Sequence, residues 1–293
     1  MNKLLSLILS AVLLFSFTGC VPADSQFAQK TIESYSIDSL PQYSGKPYVV
    51  LNDNVPQLAI TEKDYTSYEE YAPLDYLGRC GVCVASIGRD IMPTEDRESI
   101  GSVKPTGWQT AKYDFVDGKY LYNRCHLIGF QLTGENANKE NLITGTRSMN
   151  TQGMLPFENM VADYVKETGN HVLYRVTPIF EGDNLVASGV IMEGLSVEDM
   201  GAGISFCVYC YNAEPGVAID YATGHNSIDE AYTEEETQDI GEYDFVINIA
   251  SDKFHLPHCS GVSSMKATNR EEFRGTRAEL IQKGYSPCGS CNP

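Results

Sequence analysis

Apolar and polar positions alternate in four different ways along this chain. Met1-Asn2-Lys3 opens onto an apolar run from Leu4 to Phe17, followed by Thr18-Gly19-Cys20. A basic start, an apolar middle and small residues before a cut describe a secretory signal over 1–19. The run is too short for a spanning helix, which needs about 20 residues. Residues 20–45 are polar and without period, which suits a tether. Residues 46–222 form short, strand-like apolar runs separated by turn residues. Residues 223–242 read as a solvated acidic linker, because the stretch from His225 to Glu242 holds seven acids and no base. From Tyr243 the pattern is globular again, giving a small domain over 243–293.

Within the large domain, Lys119–Tyr122 predicts a short strand running into Asn123-Arg124-Cys125-His126. Asn141–Thr146 predicts a second strand, ending near Arg147 and Asn150. A helix follows: Pro156 suits its first turn, and Phe157, Met160, Val161, Tyr164 and Val165 recur at helical spacing before Gly169. Val172–Ile179 predicts a strand with His171 at its mouth as a structural residue. In Gly203–Tyr211, Ile204, Phe206, Val208 and Cys210 share one face and Cys207 takes the other. Two residues three apart on a strand point to opposite sides, so Cys207 and Cys210 read as core thiols. Cys80 and Cys83 read as buried thiols, with a disulfide or metal pair left open.

Composition bounds the possibilities. The 293 residues, 42% hydrophobic and 20% charged, suffice for a sizeable core in one or two domains. They exclude a collagen, a coiled coil or a wholly disordered chain. The net charge of −18 argues against a polyanionic partner. Its distribution weakens that argument. Val176–Asp252 contains sixteen acids and no Lys or Arg, leaving 21 basic against 23 acidic residues elsewhere. A locally basic cleft is compatible with that remainder.

Two stretches carry resemblances. Small residues ending in Cys20 resemble a bacterial lipobox, which implies a lipid on Cys20 and a place on the extracytoplasmic face of the membrane, with later release left open. Asn123-Arg124-Cys125-His126, the run Asn141–Thr146, Asn150 nine residues after Asn141, and Glu158 resemble the DNA/RNA non-specific endonucleases of the ββα-metal class, within them the streptococcal DNA-entry type. Asp90–Glu95, Pro105–Trp108, Tyr174–Thr177 and Asp220-Tyr221 extend the likeness over roughly 46–222. It implies an α+β fold, an antiparallel sheet with a ββα-metal core. It also implies a Mg2+ ion, with Mn2+ as a substitute, and nucleic acid as substrate, DNA with RNA left open.

Phosphodiester hydrolysis needs an activated water, charge stabilisation at phosphorus and help for the leaving oxygen. A neutral imidazole can take a proton near neutral pH, so His126 is the expected general base. By the resemblance Asn150 is the Mg2+ ligand, Glu158 holds metal-bound waters and Asn141 orients the site. Arg124, Arg147 and Arg175 are candidate phosphate contacts. The family motif usually reads Asp-Arg-Gly-His. Asn123 in place of Asp removes a charge that could tune His126, and Cys125 beside the base predicts sensitivity to thiol reagents. An inactive, polyanion-binding lipoprotein is the alternative, against which His126, Asn150 and Glu158 stand together.

In the small domain His255 and Cys259 lie four apart across an expected turn after a strand Phe245–Ala250, and Cys288 and Cys291 form a second pair. Thr276-Arg277-Ala278-Glu279 is a capping box for a short helix ending at Gly284. Two ligand pairs around a strand–helix unit suit a tetrahedral structural Zn2+, in a small α+β module with little core of its own. Phe254–Cys259 is similar to the zinc knuckle of Ada-type proteins, with His255 in place of a Cys. His258 is a substitute ligand, and a Cys288–Cys291 or Cys259–Cys288 disulfide is the rival in an exported protein. Lys266, Arg270, Arg274 and Arg277 are candidate contacts to nucleic acid or a surface.

Overall fold

The computed structural model describes residues 40–229 and 243–293, apart from His258, Ser264, Gly289, Ser290, Asn292 and Pro293. The expected secretory signal, Cys20, most of the expected tether and residues 230–242 lie outside the described residues. Among the described residues no helix is long and apolar enough to cross a membrane.

Strands β1 (Tyr48–Val50), β2 (Tyr68–Tyr71) and β3 (Cys83–Ile87) come first, and a long irregular stretch leads to β4 (Tyr122–His126). A single turn α1 (Phe130–Thr133) and strand β5 (Leu142–Thr146) follow. The chain then winds from Met149 through a wide π-type turn into helix α2 (Leu155–Thr168), which ends on Gly169 at φ 75°. Strands β6 (Val172–Ile179), β7 (Gly189–Ser196), β8 (Ser205–Tyr211), β9 (Val217–Ile219) and β10 (Asn226–Ile228) complete this part.

Six strands form one antiparallel sheet in the order β1-β8-β7-β6-β3-β2. The architecture is the expected α+β one. Pleating assigns the two faces: Val172, Tyr174 and Val176 of β6 enter the main core, while Leu173 joins a smaller cluster with Val84 and Val197. Helix α2 covers the main face with Val161, Ala162 and Val165, all essentially inaccessible. Phe157 stacks between Tyr48 and Phe206, with centroids 5.0 Å from each.

The β4–β5 ribbon pairs Asn123 with Gly145 and His126 with Leu142. The four-residue motif therefore lies inside the strand rather than after it. Of Lys119–Tyr122, expected as a strand, only Tyr122 joins β4, while Tyr120 bridges to Lys112 and closes a hairpin. Backbone pairing with β5 overrides the weak strand preference of Asn123. A side chain on Gly145 would overlap the Cys125 sulfur and the Met149 methyl, so glycine is required opposite the motif.

The ribbon is a separate two-stranded sheet. Asn212, just after β8, fixes it in place. Its Oδ1 accepts from Thr146 N at 2.7 Å, and its Nδ2 donates to Thr144 O and Ala187 O, both at 2.9 Å. Glu214 adds a second lock by accepting from Ser148 N and Ser148 Oγ at 2.8 Å each.

The packed chain extends past both expected boundaries of 46 and 222. Tyr211 Oη donates to Pro41 O at 2.9 Å, and the Tyr43 ring packs on Tyr211. At the other end β10 pairs with β9, and Tyr122 Oη donates to Gly224 O at 3.0 Å. Residues 223–229, expected as linker, thus belong to the packed region because their backbone closes a hairpin against Tyr113 and Tyr122.

Residues 243–293 form a four-stranded sheet, β13-β11-β12-β14, from β11 (Tyr243–Asn248), β12 (Lys253–His255), β13 (Arg270–Gly275) and β14 (Ser286–Pro287). Strand β11 begins two residues before the expected Phe245, and Asn248 Oδ1 turns the chain by accepting from Ala250 N. Helix α3 (Arg277–Gln282) opens on the expected capping box: Thr276 N donates to Glu279 Oε2 and Glu279 N to Thr276 Oγ1, each 3.1 Å. Phe245, Ile247, Phe254 and Leu280 pack on one side of β11, and Val246, Cys259, Val262 and Cys288 on the other.

Asn212→Ala leaves three buried backbone groups without partners and lowers stability by about 2–4 kcal/mol, read as an earlier urea midpoint at unchanged slope. An unchanged midpoint contradicts the lock.

Candidate functional site

The β4–β5 ribbon, the start of α2 and the loops before β4 enclose a cleft of about 810 Å³. Its lining includes Arg97, Lys104, Arg124 and Arg147 against one carboxylate, Glu158. A basic cleft thus exists in a chain of net charge −18. Trp108, Tyr120 and Tyr122 form part of its wall.

His126 ends β4, largely buried. Its Nε2 lies 2.8 Å from Asn136 O. A carbonyl only accepts, so Nε2 bears the hydrogen and the lone pair sits on Nδ1, which faces Arg97 Nη2 at 3.2 Å. Burial, aided by the Arg97 charge, pulls the imidazole pKa down to about 4. The ring is neutral at physiological pH, and its Nδ1 lone pair accepts from the Arg97 guanidinium. Arg97 escapes sequence reasoning: it lies 29 residues before His126 in an irregular loop, and nothing in the local pattern of Asp96-Arg97-Glu98 marks it.

Glu158 stands in the first turn of α2, where burial raises its carboxyl pKa to about 7, while Gln131 and the Arg97 charge pull the other way. Gly129 makes room for it, since a Cβ there would lie 2.8 Å from Glu158 Cδ. Asn150 lines the same cleft from the π-type turn. Asn123 lines it too, with a buried Nδ2 that has no hydrogen-bond partner.

His126, Asn150, Glu158, Arg124 and Arg147 are brought together, and two expected residues are not. Asn141 is wholly buried beneath the loop after β4, accepting from Ile128 N at 2.8 Å and donating to Ile128 O at 2.9 Å. It shapes the loop and does not line the cleft. Arg175 lies on the opposite face of the sheet from the core residue Tyr174, with its Nε donating to Glu193 Oε2 at 2.7 Å and its Nη2 to Gln57 O at 3.0 Å. The buried Glu193 neutralises it, so it offers no contact to phosphate in the cleft. Arg124 lines the cleft, but its guanidinium is committed to the backbone of Val103 and Gly101 and lies 4.1 Å from the Trp108 ring.

The expected thiol sensitivity at the base is not supported. Cys125 is fully buried behind β4 and burial drives its thiol pKa up, so it is neither accessible nor ionised. Cys80, Cys83, Cys207 and Cys210 are likewise buried and form no disulfide. His171 bonds to Glu198 through N and Nδ1 at the mouth of β6.

In the small module, ligand atoms of His255, Cys259, Cys288 and Cys291 all lie within 4.8 Å of one another. Parallel pairing of Phe254 with Pro287 sets His255 beside Cys288, and Cys288 N donates to Phe254 O at 2.9 Å. Both ring nitrogens of His255 are buried with no partner among the described residues. Cys259, Cys288 and Cys291 form no disulfide, so neither rival pairing is present. His258 lies outside the described residues. Arg270 pairs with Glu272 and Arg274 with Asp244 at the surface.

A ββα element presenting a neutral histidine to a basic cleft belongs to the metal-dependent nucleases. Residues 60–197 match the family described as DNA/RNA non-specific endonuclease, and the chain is a DNA/RNA endonuclease. The structure is similar to NucA from Streptococcus agalactiae solved with magnesium ion bound, at 25% identity and TM-score 0.58, over 71% of this chain and 98% of that one. It is also similar to Sda1 nuclease with bound zinc ion, at 25% identity and TM-score 0.51, over 67% and 100%. No curated protein is significantly similar in sequence.

An unfolded imidazole takes its proton near 6.5, and folded His126 only near 4. The unfolded chain therefore binds the extra proton between these values, and the stability this group contributes is lost as pH falls from about 6.5 toward 4. NMR titration of the metal-free protein is expected to give a His126 midpoint near 4, raised in Arg97→Met. A midpoint at or above 6.5 contradicts the burial argument.

Proposed function

We propose that this chain is an exported, lipid-anchored, Mg2+-dependent nuclease in which His126 is the general base. The observation that supports it best is the His126 tautomer, with Nε2–H bound to Asn136 O and the Nδ1 lone pair facing Arg97. Nδ1 takes the proton from the attacking water once Arg97 has left it for the phosphate, and Asn136 O holds the ring against rotation. Arg97 and Arg147 offer guanidinium groups to the phosphate, while Arg124 braces the loop at Gly101–Val103.

The donor set suits an oxygen-seeking divalent ion that retains most of its waters: the Asn150 side-chain oxygen and the Glu158 carboxylate share one cleft. A buried carboxyl with a raised pKa also gains from a neighbouring cation. When bound, Mg2+ polarises the phosphoryl oxygens and stabilises charge on the leaving oxygen. Asn150 would hold the ion through its side-chain oxygen, and Glu158 would accept hydrogen bonds from the waters around it. Binding rests on phosphate contacts in the basic cleft, so base specificity is low. Cys20 bears the lipid and holds the enzyme on the extracytoplasmic face.

Residues His255, Cys259, Cys288 and Cys291 suit a structural Zn2+. Two buried imidazole nitrogens with no partner among the described residues, beside three cysteines that form no disulfide, are costly unless a metal engages the ring.

Protein lacking residues 1–20 is expected to degrade closed circular plasmid with Mg2+ and not with EDTA. His126→Ala should lower the rate by roughly 10²–10⁴-fold. Absence of cleavage by the unaltered protein with either Mg2+ or Mn2+ would overturn the reading. Elemental analysis should find one Zn2+ per chain, lost in Cys288→Ser; a metal-free unaltered protein contradicts the zinc assignment. Cys20→Ala should release the protein from the membrane fraction, and retention argues against the lipid anchor.

A further inference from the structure

Arg147 leaves β5 with its backbone fixed and its side chain half free. Its N donates to Leu121 O at 2.8 Å, and its carbonyl accepts from Thr151 Oγ1 at 2.8 Å. Its guanidinium lines the cleft three residues before Asn150. Asp117, at the tip of the hairpin closed by Lys112 and Tyr120, occupies that guanidinium. Both Nε and Nη2 of Arg147 donate to the same oxygen, Asp117 Oδ2, at 3.0 and 2.8 Å.

This pairing is incomplete. An arginine fork is matched by two acceptor oxygens, which a phosphodiester provides and which this contact does not use. The pair is also easily parted, because the side chains of Arg147 and Asp117 are 32% and 67% exposed and Asp117 regains water when released. Gly118 follows at φ 68°, open enough that even an added Cβ would stay 3.9 Å from Arg147 Nε.

We propose that Asp117 is an internal stand-in for phosphate: it holds Arg147 when the cleft is empty and is displaced by a backbone phosphate of the nucleic acid. The inference rests on the nuclease reading for its substrate and adds a residue that sets affinity rather than chemistry. The competition weakens binding of every sequence equally, so it acts on KM and leaves kcat unchanged. Removing it frees one more cation to displace a counterion, which steepens the salt dependence of binding.

The test combines Asp117→Asn, Arg147→Ala and the double variant in the full extracytoplasmic chain. Binding of a fluorescein-labelled oligonucleotide is followed by anisotropy in EDTA across salt concentrations, and plasmid cleavage is followed separately. Asp117→Asn is expected to tighten binding and lower KM about 2–5-fold at unchanged kcat, with a salt slope steeper by up to about one unit. The double variant is expected to match Arg147→Ala. Unchanged affinity in Asp117→Asn, or the same gain in the Arg147→Ala background, overturns the proposal. If no cleavage occurs while the binding differences persist, the nuclease reading fails and the Asp117 assignment stands.

Discussion

The two-stranded β4–β5 ribbon must lie against an apolar core while presenting polar side chains to a cleft. Every other feature of the site depends on how that ribbon is held. No strand of the main sheet pairs with it. The carboxamide of Asn212 supplies the missing backbone partners instead, at both Thr144 and Thr146. Gly145 then lets Cys125 pack tightly behind the motif, so that one edge of β4 is sealed and His126 and Arg124 emerge at the cleft. At the end of the strand, pleating thereby sends Cys125 to the core and its neighbours Arg124 and His126 to the cleft.

Charge follows the same division. An overall charge of −18 is compatible with binding a polyanion because the acids are concentrated in the last strands of the sheet and the residues after it. The basic side chains converge on the cleft from the loops before β4 and from the end of β5. Local potential governs recognition, and net charge governs only the approach from a distance.

Burial gives the two titratable groups of the site opposite tendencies. The imidazole is kept neutral and the Glu158 carboxyl is held back from ionising, both because water is excluded. Arg97 reinforces the first effect and opposes the second. One guanidinium therefore links the proposed base and the carboxylate, although it belongs to neither strand nor helix.

Much of this was legible in the sequence where the determinants are local. The strand–loop–strand–helix order, the helix end at Gly169, the capping box at Thr276 and the paired Cys and His of the small module follow from periodicity, turn chemistry and spacing. Those residues act on neighbours a few positions away, so their pattern survives in one dimension. Tertiary structure alone decided the rest. Arg175 looks like a candidate phosphate contact until pleating turns it to the far face and Glu193 neutralises it. That Asn141 acts by closing its carboxamide on Ile128, beneath the loop after the motif, is visible only in the fold. Arg97 and Asp117 carried no mark at all, because their roles depend on contacts 29 and 30 residues away through loops that no repeating pattern describes.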